Sequence, residues 1–157
     1  MTDNSSKERN LKSLILKRLK ETIDEKSAIV KNEIQLAIET RDNETKSNVG
    51  DKFETTREMM QLEIEKNVLQ LNKYELQKNE LLKIDVYKIH KKAELGSLVF
   101  TTENIYFISI GTGKMEIENN SVFCISLSSP IGKLLQNKKE GEKINFQGKE
   151  ISLIKIV

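Results

Sequence analysis

The 157-residue sequence has one cysteine, Cys124, one histidine, His90, one proline, Pro130, and no tryptophan. A single thiol closes no internal disulfide, and one cysteine with one histidine assembles no zinc site, so a reducing cytoplasm is the expected compartment. Long apolar runs are missing too. MTDNSSKERN is polar, and the LKSLILKRLK that follows is broken by lysine too often for a signal-peptide core or a membrane span, so no membrane partner is expected. Nor is one sign of charge in excess: 26 basic and 24 acidic residues are spread through the chain. That leaves no basic stripe of the kind that carries duplex-DNA affinity.

Glycine is scarce at first and concentrated later, with six of the seven at or after Gly96. The composition changes at the same place, which divides the chain into a helical part and a strand-and-turn part. With 37% hydrophobic and 32% charged residues, the whole is lean for one compact globule and suits an extended, surface-rich molecule.

Residues 1–9 read as a frayed polar leader. Leu16, Leu19, Ile23, Ser27, Val30, Ile34 and Ala37 then recur at spacings of three and four, a helical seam of coiled-coil type. Phe53, Met60, Ile64, Val68, Leu71, Tyr74, Lys78 and Leu82 form a second seam of similar length, and no proline breaks either one. Folding the two together predicts an antiparallel coiled-coil hairpin over 10–83, its tip near 42–51.

A connector, 84–96, leads to 97–157. Here SLVFTT, NIYFISI, KMEIE, SVFCISL, EKINF and KEISLIKIV read as short strands with turns at Gly111-Thr112-Gly113, Asn119-Asn120 and Gln147-Gly148. A short helix from Ile131 to about Asn137 is expected after Ser129-Pro130. The fold class is therefore α+β: a long helical hairpin, then a small antiparallel sheet with one helix against it.

The stretch SSPIGKLLQNKKEGEKINFQGKEISLIKIV resembles the C-terminal domain of the GreA/GreB transcript cleavage factors. The likeness is carried by Ser129, Pro130, Ile131, Leu134, Leu135, Lys139, Gly141 and Glu142. Ile125-Ser126, the Gly96-Ser97-Leu98-Val99 entry, Ile84-Asp85 and the order of hairpin before sheet are similar as well. The resemblance implies an FKBP-like C-terminal domain that binds bacterial RNA polymerase, here around Ser128, Ser129 and Pro130. It also implies a coiled coil inserted into the polymerase secondary channel, where tip carboxylates help hold a magnesium ion at the polymerase active site so that backtracked RNA is cut. Such a protein is no enzyme alone and has no cofactor or metal of its own, and it meets nascent RNA only indirectly.

At the tip the text departs from the family. The usual Gly-Asp-Leu-Ser-Glu-Asn is absent, and with Phe53 and Arg57 laid on the family's tyrosine and arginine, the two acid positions fall near Lys46 and Val49. Asp42, Glu44 and Asp51 are the carboxylates at hand, and a hard divalent cation takes oxygen ligands of this type. Solvated acids need no function, however, and Asp51-x-x-Glu54 also has the spacing of a helix capping box. Lys46, Lys52 and Arg57 are the nearby cations for RNA phosphates or channel walls, against the plainer reading of exposed helix-face charges.

Two further readings stand beside cleavage stimulation: a Gre-like factor that occupies the channel and inhibits without cleavage, and a prolyl isomerase with a coiled-coil arm. The last would use Phe100, Tyr106, Phe107, Phe123 and Phe146 as pocket lining, although strand aromatics also fill cores. His90 reads as a surface residue, and Cys124 as an inert packed thiol.

Overall fold

The structure is a computed structural model that describes residues 2–44 and 50–157, with side chains over 4–43 and 54–157. Two long helices, α1 (Thr2–Glu44) and α2 (Gly50–Leu82), precede six strands and a short third helix. The chain divides into two compact units, one of residues 20–79 and one that joins residues 1–19 to 80–157. Among the described residues no helix is long and apolar enough to cross a membrane.

In the 20–79 unit the helices run antiparallel. Lys78 Nζ lies 2.9 Å from Asp24 Oδ1, and Arg41 Nη1 donates to Gln61 Oε1 at 2.8 Å, so early residues of α1 face late residues of α2 and the reverse. Ile23, Ser27, Val30 and Ala37 are buried along the α1 seam, with Ile34 half-buried, as its spacing predicts.

The α2 seam slips by one residue from the expected one. Asn67 and Leu81 are buried where Val68 and Leu82 were predicted, and those two are 40% and 63% exposed. Met60, Ile64, Asn67, Leu71, Tyr74, Lys78 and Leu81 alternate strictly by four and three, the period of a coiled-coil seam, and that register admits a polar Asn67 in preference to an apolar neighbour.

The second unit is built on a sheet of β1 (Leu98–Thr101), β2 (Ile105–Ile108), β3 (Gly113–Ile117), β4 (Asn120–Ile125), β5 (Lys143–Phe146) and β6 (Lys149–Ile156). Their order across the sheet is β3-β4-β2-β1-β6-β5. The sheet is not wholly antiparallel as expected, because β2 pairs with β4 in parallel, Ile105 opposite Val122 and Ile108 opposite Ile125. After β2 the chain skips one position, forms the edge strand β3, and returns through a hairpin to fill the gap. Gly111-Thr112-Gly113 is therefore part of a crossing and not of a hairpin turn.

True two-residue hairpin loops occur at Glu118-Asn119 and Gln147-Gly148, where all four residues have positive φ. This is the type I′ geometry that matches strand twist. The first turn lies one residue before the predicted Asn119-Asn120.

Both sheet faces are covered. Val99, Tyr106, Ile108, Ile125, Leu153 and Ile156 pack with Ile131 and Leu135 of α3 (Pro130–Leu135). Side chains alternate along a strand, so Leu98, Phe107, Val122 and Cys124 point the other way, yet each is at most 1% exposed. In the same unit Leu11, Ile15, Leu16 and Leu19 of α1 and Leu81 of α2 are buried and supply the apolar cover. Burial of each such side chain is worth about 2 kcal/mol, which is why the predicted polar leader is helical here: docking of the first helix outweighs the weak helix preference of its Ser, Asp and Asn residues.

Ser129 caps α3. Its Oγ accepts from Gly132 N at 3.0 Å and donates to Ser126 O at 2.7 Å, with Pro130 as the first helical residue. Ser129→Ala should lower the stability of this unit by about 1 kcal/mol, read as a shift of its urea midpoint; an unchanged midpoint would mean that the turn holds without the cap.

Candidate functional site

The hairpin end holds most of the acids and cations singled out in the sequence. Lys46 and the side chains of Glu44, Asp51 and Lys52 lie outside the described residues. The backbone at Asp51 is already inside α2, so Asp51 is not the N-cap that a capping box with Glu54 requires. Asp42 is exposed and sits 3.1 Å from Arg41 Nε, while the same guanidinium reaches Gln61 across the hairpin. Arg57 is exposed on α2.

The Ser128-Ser129-Pro130 turn divides into two roles. Ser129 is consumed by capping, whereas Ser128 and Pro130 are exposed. Ser128 Oγ is 3.0 Å from Ser126 Oγ, which ties the turn to the end of β4. Gly132, one turn on, fits so closely over this loop that a Cβ there would overlap Ser126 O and touch Leu127 Cα. The exposed edge is thus held by hydrogen bonds and close packing, a rigid surface suited to recognition.

The five aromatics line no common pocket. Phe107 is fully buried on one face, while Tyr106 lies on the other with its ring 6.0 Å from that of Phe123. Phe123 and Phe146 pack against the α3-side core.

A third place was not foreseen. His90 is not a surface residue: its side chain is 1% exposed, and Nδ1 lies 2.8 Å from Glu94 Oε1. Lys88 Nζ reaches the same carboxylate oxygen at 3.2 Å. Burial, outweighing the Glu94 bond, lowers the His90 pKa and keeps the ring neutral. Nδ1–H then donates to Glu94 and Nε2 is left as a buried acceptor with no partner. The His90 bond and then the Lys88 bond hold Glu94 below its ordinary pKa.

Lys12 lies near this histidine, fully buried, donating from Nζ to the main-chain oxygen of Val157 at 3.2 Å. Burial lowers its pKa to about 8, against the opposing pull of Asp85. The signal for Lys12 was in the register, since 12, 16, 19 and 23 continue the seam; for His90, only the i,i+4 spacing to Glu94 hinted at a partner.

Beside the cluster opens a cleft of about 230 Å³ lined by residues of α1, the connector and the end of β6. Arg9 lies over the Tyr87 ring at 5.8 Å, and Lys155 pairs with Glu8 at 2.7 Å. Comparison with protein-family models, with curated proteins and with solved structures finds no match for this chain.

Proposed function

We propose that this chain is a Gre-like regulator of bacterial RNA polymerase: its sheet domain, read as FKBP-like, docks on the polymerase, and its helical hairpin enters the secondary channel. The observation that carries this reading is the order and nature of the parts. A helical hairpin comes first, and a sheet with a rigid, exposed Ser-Pro turn follows, as the sequence resemblance requires. The bond-breaking site would be the polymerase's own, with magnesium bound there, and the work would be done where the polymerase is, in the cytoplasm.

Cleavage stimulation and plain channel occupancy are both forms of this function. The occupancy form is favoured by Asp42, whose carboxylate is engaged by Arg41, and by the family's two acid positions falling near Lys46 and Val49. A carboxylate held by a guanidinium gives up part of its attraction for an incoming cation.

The test is co-purification with polymerase, then a magnesium-replete assay on backtracked RNA. The occupancy form predicts binding, no added cleavage, and competition with an authentic cleavage factor. Cleavage that falls roughly tenfold or more in Asp42→Asn or Asp51→Asn, with polymerase binding kept, would restore the catalytic-assist form. Absence of polymerase binding by the folded protein would remove both.

A further inference from the structure

The cleft beside His90 has a makeup that the hairpin and the Ser-Pro turn do not explain. Among the side chains that line it the cations are Arg9, Lys88 and Lys155 and the acid is Glu8, with Asp85 and Glu94 bonded to lining residues from behind. Lys155 and Lys88 each hold a carboxylate, with further N–H donors left on each ammonium. Arg9 has no carboxylate partner among the described residues, although acids are plentiful in this chain. Its guanidinium carbon lies over the Tyr87 ring, 5.8 Å from the centroid, which leaves its N–H groups free of any acid among the described residues.

Around these charges the lining is apolar. Val86 and Ile156 are in the wall, and Tyr87 and Ile89, 72% and 82% exposed, stand at the rim. Asp85 braces the rim by accepting from Tyr87 N at 2.9 Å and, through its main-chain oxygen, from Lys88 N at 3.2 Å. Two large exposed apolar side chains on a braced turn, beside a cation without an acid, form a surface finished by a bound molecule better than by water.

We propose that this cleft binds a small organic anion, a phosphate or carboxylate head joined to a single flat apolar body, the head on Arg9 and the body against Tyr87 and Ile89. The volume decides the size: about 230 Å³ is below the usual range of drug-sized pockets and suits one ring with its head group. The sign follows from Arg9: Glu8 is engaged by Lys155 and Glu94 by Lys88, whereas the Arg9 guanidinium has no carboxylate partner among the described residues. Phosphate and carboxylate share the chemistry that a guanidinium edge recognises. The inference rests on the cleft alone and is independent of the polymerase reading.

The chain's only histidine lines the cleft, so its ring signals report on occupancy. The full chain is titrated with phenyl phosphate and with benzoate, phenol serving as the neutral control, while the His90 ring resonances are followed by NMR. A saturable shift is expected with one or both anions and none with phenol, and the tighter anion identifies the head group. Arg9→Gln keeps a polar amide at this exposed position but removes the charge and the guanidinium fork, and should weaken binding roughly tenfold with an unchanged melting temperature. The proposal is overturned if neither anion saturates below about 10 mM, if phenol shifts the ring equally, or if Arg9→Gln binds as tightly as the parent. Should Arg9→Gln melt lower, Arg9→Lys decides: a retained cation with lost bidentate geometry must still bind more weakly than the parent, and equal affinity overturns the assignment of the head to Arg9.

Discussion

Gly132→Ala should destabilise the sheet-bearing unit by about 2–3 kcal/mol, enough to lower its melting temperature by roughly 5–10 °C in a chain of this size. Two effects oppose each other. Alanine is favoured over glycine inside a helix by about 1 kcal/mol, and taken alone that would raise the melting temperature. Against it, the added Cβ falls on Ser126 O, close to Ser129 Oγ and Leu127 Cα. Two of these three are main-chain atoms, so no rotamer change relieves the overlap. The Ser126–Ser129 loop has to move, and with it the Ser129 cap. Thermal melts of the parent and the variant decide the matter, and an unchanged midpoint would show that the loop yields without cost. Gly132→Ala should also weaken any partner that reads Ser128 and Pro130, because their placement depends on the same loop.

The close fit at Gly132 could not be read from the text, where it is one more glycine near a proline. What the text does reveal is local. The α1 seam was legible from spacing alone, because an apolar stripe at intervals of three and four has one helical solution. On α2 the same reasoning slipped at Asn67 by favouring hydrophobicity over register. Burial follows the angle around the helix, so a polar side chain at the right angle is buried and a valine beside it is not. The strands were legible as strands, but not the parallel pairing of β2 with β4, because period-two alternation says which face a residue takes and nothing about its neighbour strand.

The candidate sites were less legible still. The Ser-Pro turn showed itself through proline and capping chemistry. The cluster of Lys12, His90 and Glu94 joins positions nearly eighty residues apart, and no local pattern foretells that a lysine will be buried beside a histidine. Of the acids and cations named at the hairpin end, the side chains of Glu44, Lys46, Asp51 and Lys52 fall outside the described residues, and the structure describes those of Asp42 and Arg57.

Lys12→Met should change the alkaline stability profile more than any surface substitution. The folded pKa of Lys12, about 8, is below the unfolded value of 10.5, so the folded chain holds this proton more weakly. At or below pH 8 the cost of the buried ammonium is therefore fully present, and it is relieved as pH rises from 8 to 10.5. The shift corresponds to about 3 kcal/mol at most. Cys124 acts in the opposite direction, its thiol raised by burial from 9.0 to about 11, so that stability falls as pH rises through that interval. In the parent the two largely offset each other. In Lys12→Met only the cysteine remains, and stability should drop between pH 9 and 11 where the parent stays nearly level.

At pH 7 the variant should be about 1–2 kcal/mol more stable, as for other buried charges replaced by an apolar side chain of similar volume. The Val157 oxygen keeps its bond from Leu98 N at 2.9 Å, and Glu94 keeps His90 and Lys88, so no partner is stranded. Lys78 and Lys143 leave the range up to pH 10.5 undisturbed: their pKa values are raised above 10.5, and their contribution is lost only beyond it. His90, lowered chiefly by burial and in part by the Lys12 charge, acts below 6.5, where acidification should cost stability in the parent and less in the variant. Urea unfolding at pH 7, 9 and 10.5 tests all of this, and parallel profiles for the two proteins would sink the assignment to Lys12.

Two contacts that hold the first helix are very long-range: Glu8 to Lys155 spans 147 positions and Lys12 to Val157 spans 145. On the ribosome, at ~5–20 residues per second, Glu8 and Lys12 wait on the order of ten seconds before these partners exist. The strand that supplies those partners, β6, must also insert between β1 and β5. Long loops have to close before any of these distant contacts is rewarded, which is the signature of a slow folder. The newborn chain therefore carries a helix with a bare apolar face until the strands of the sheet, about eighty residues and more further along, have been made.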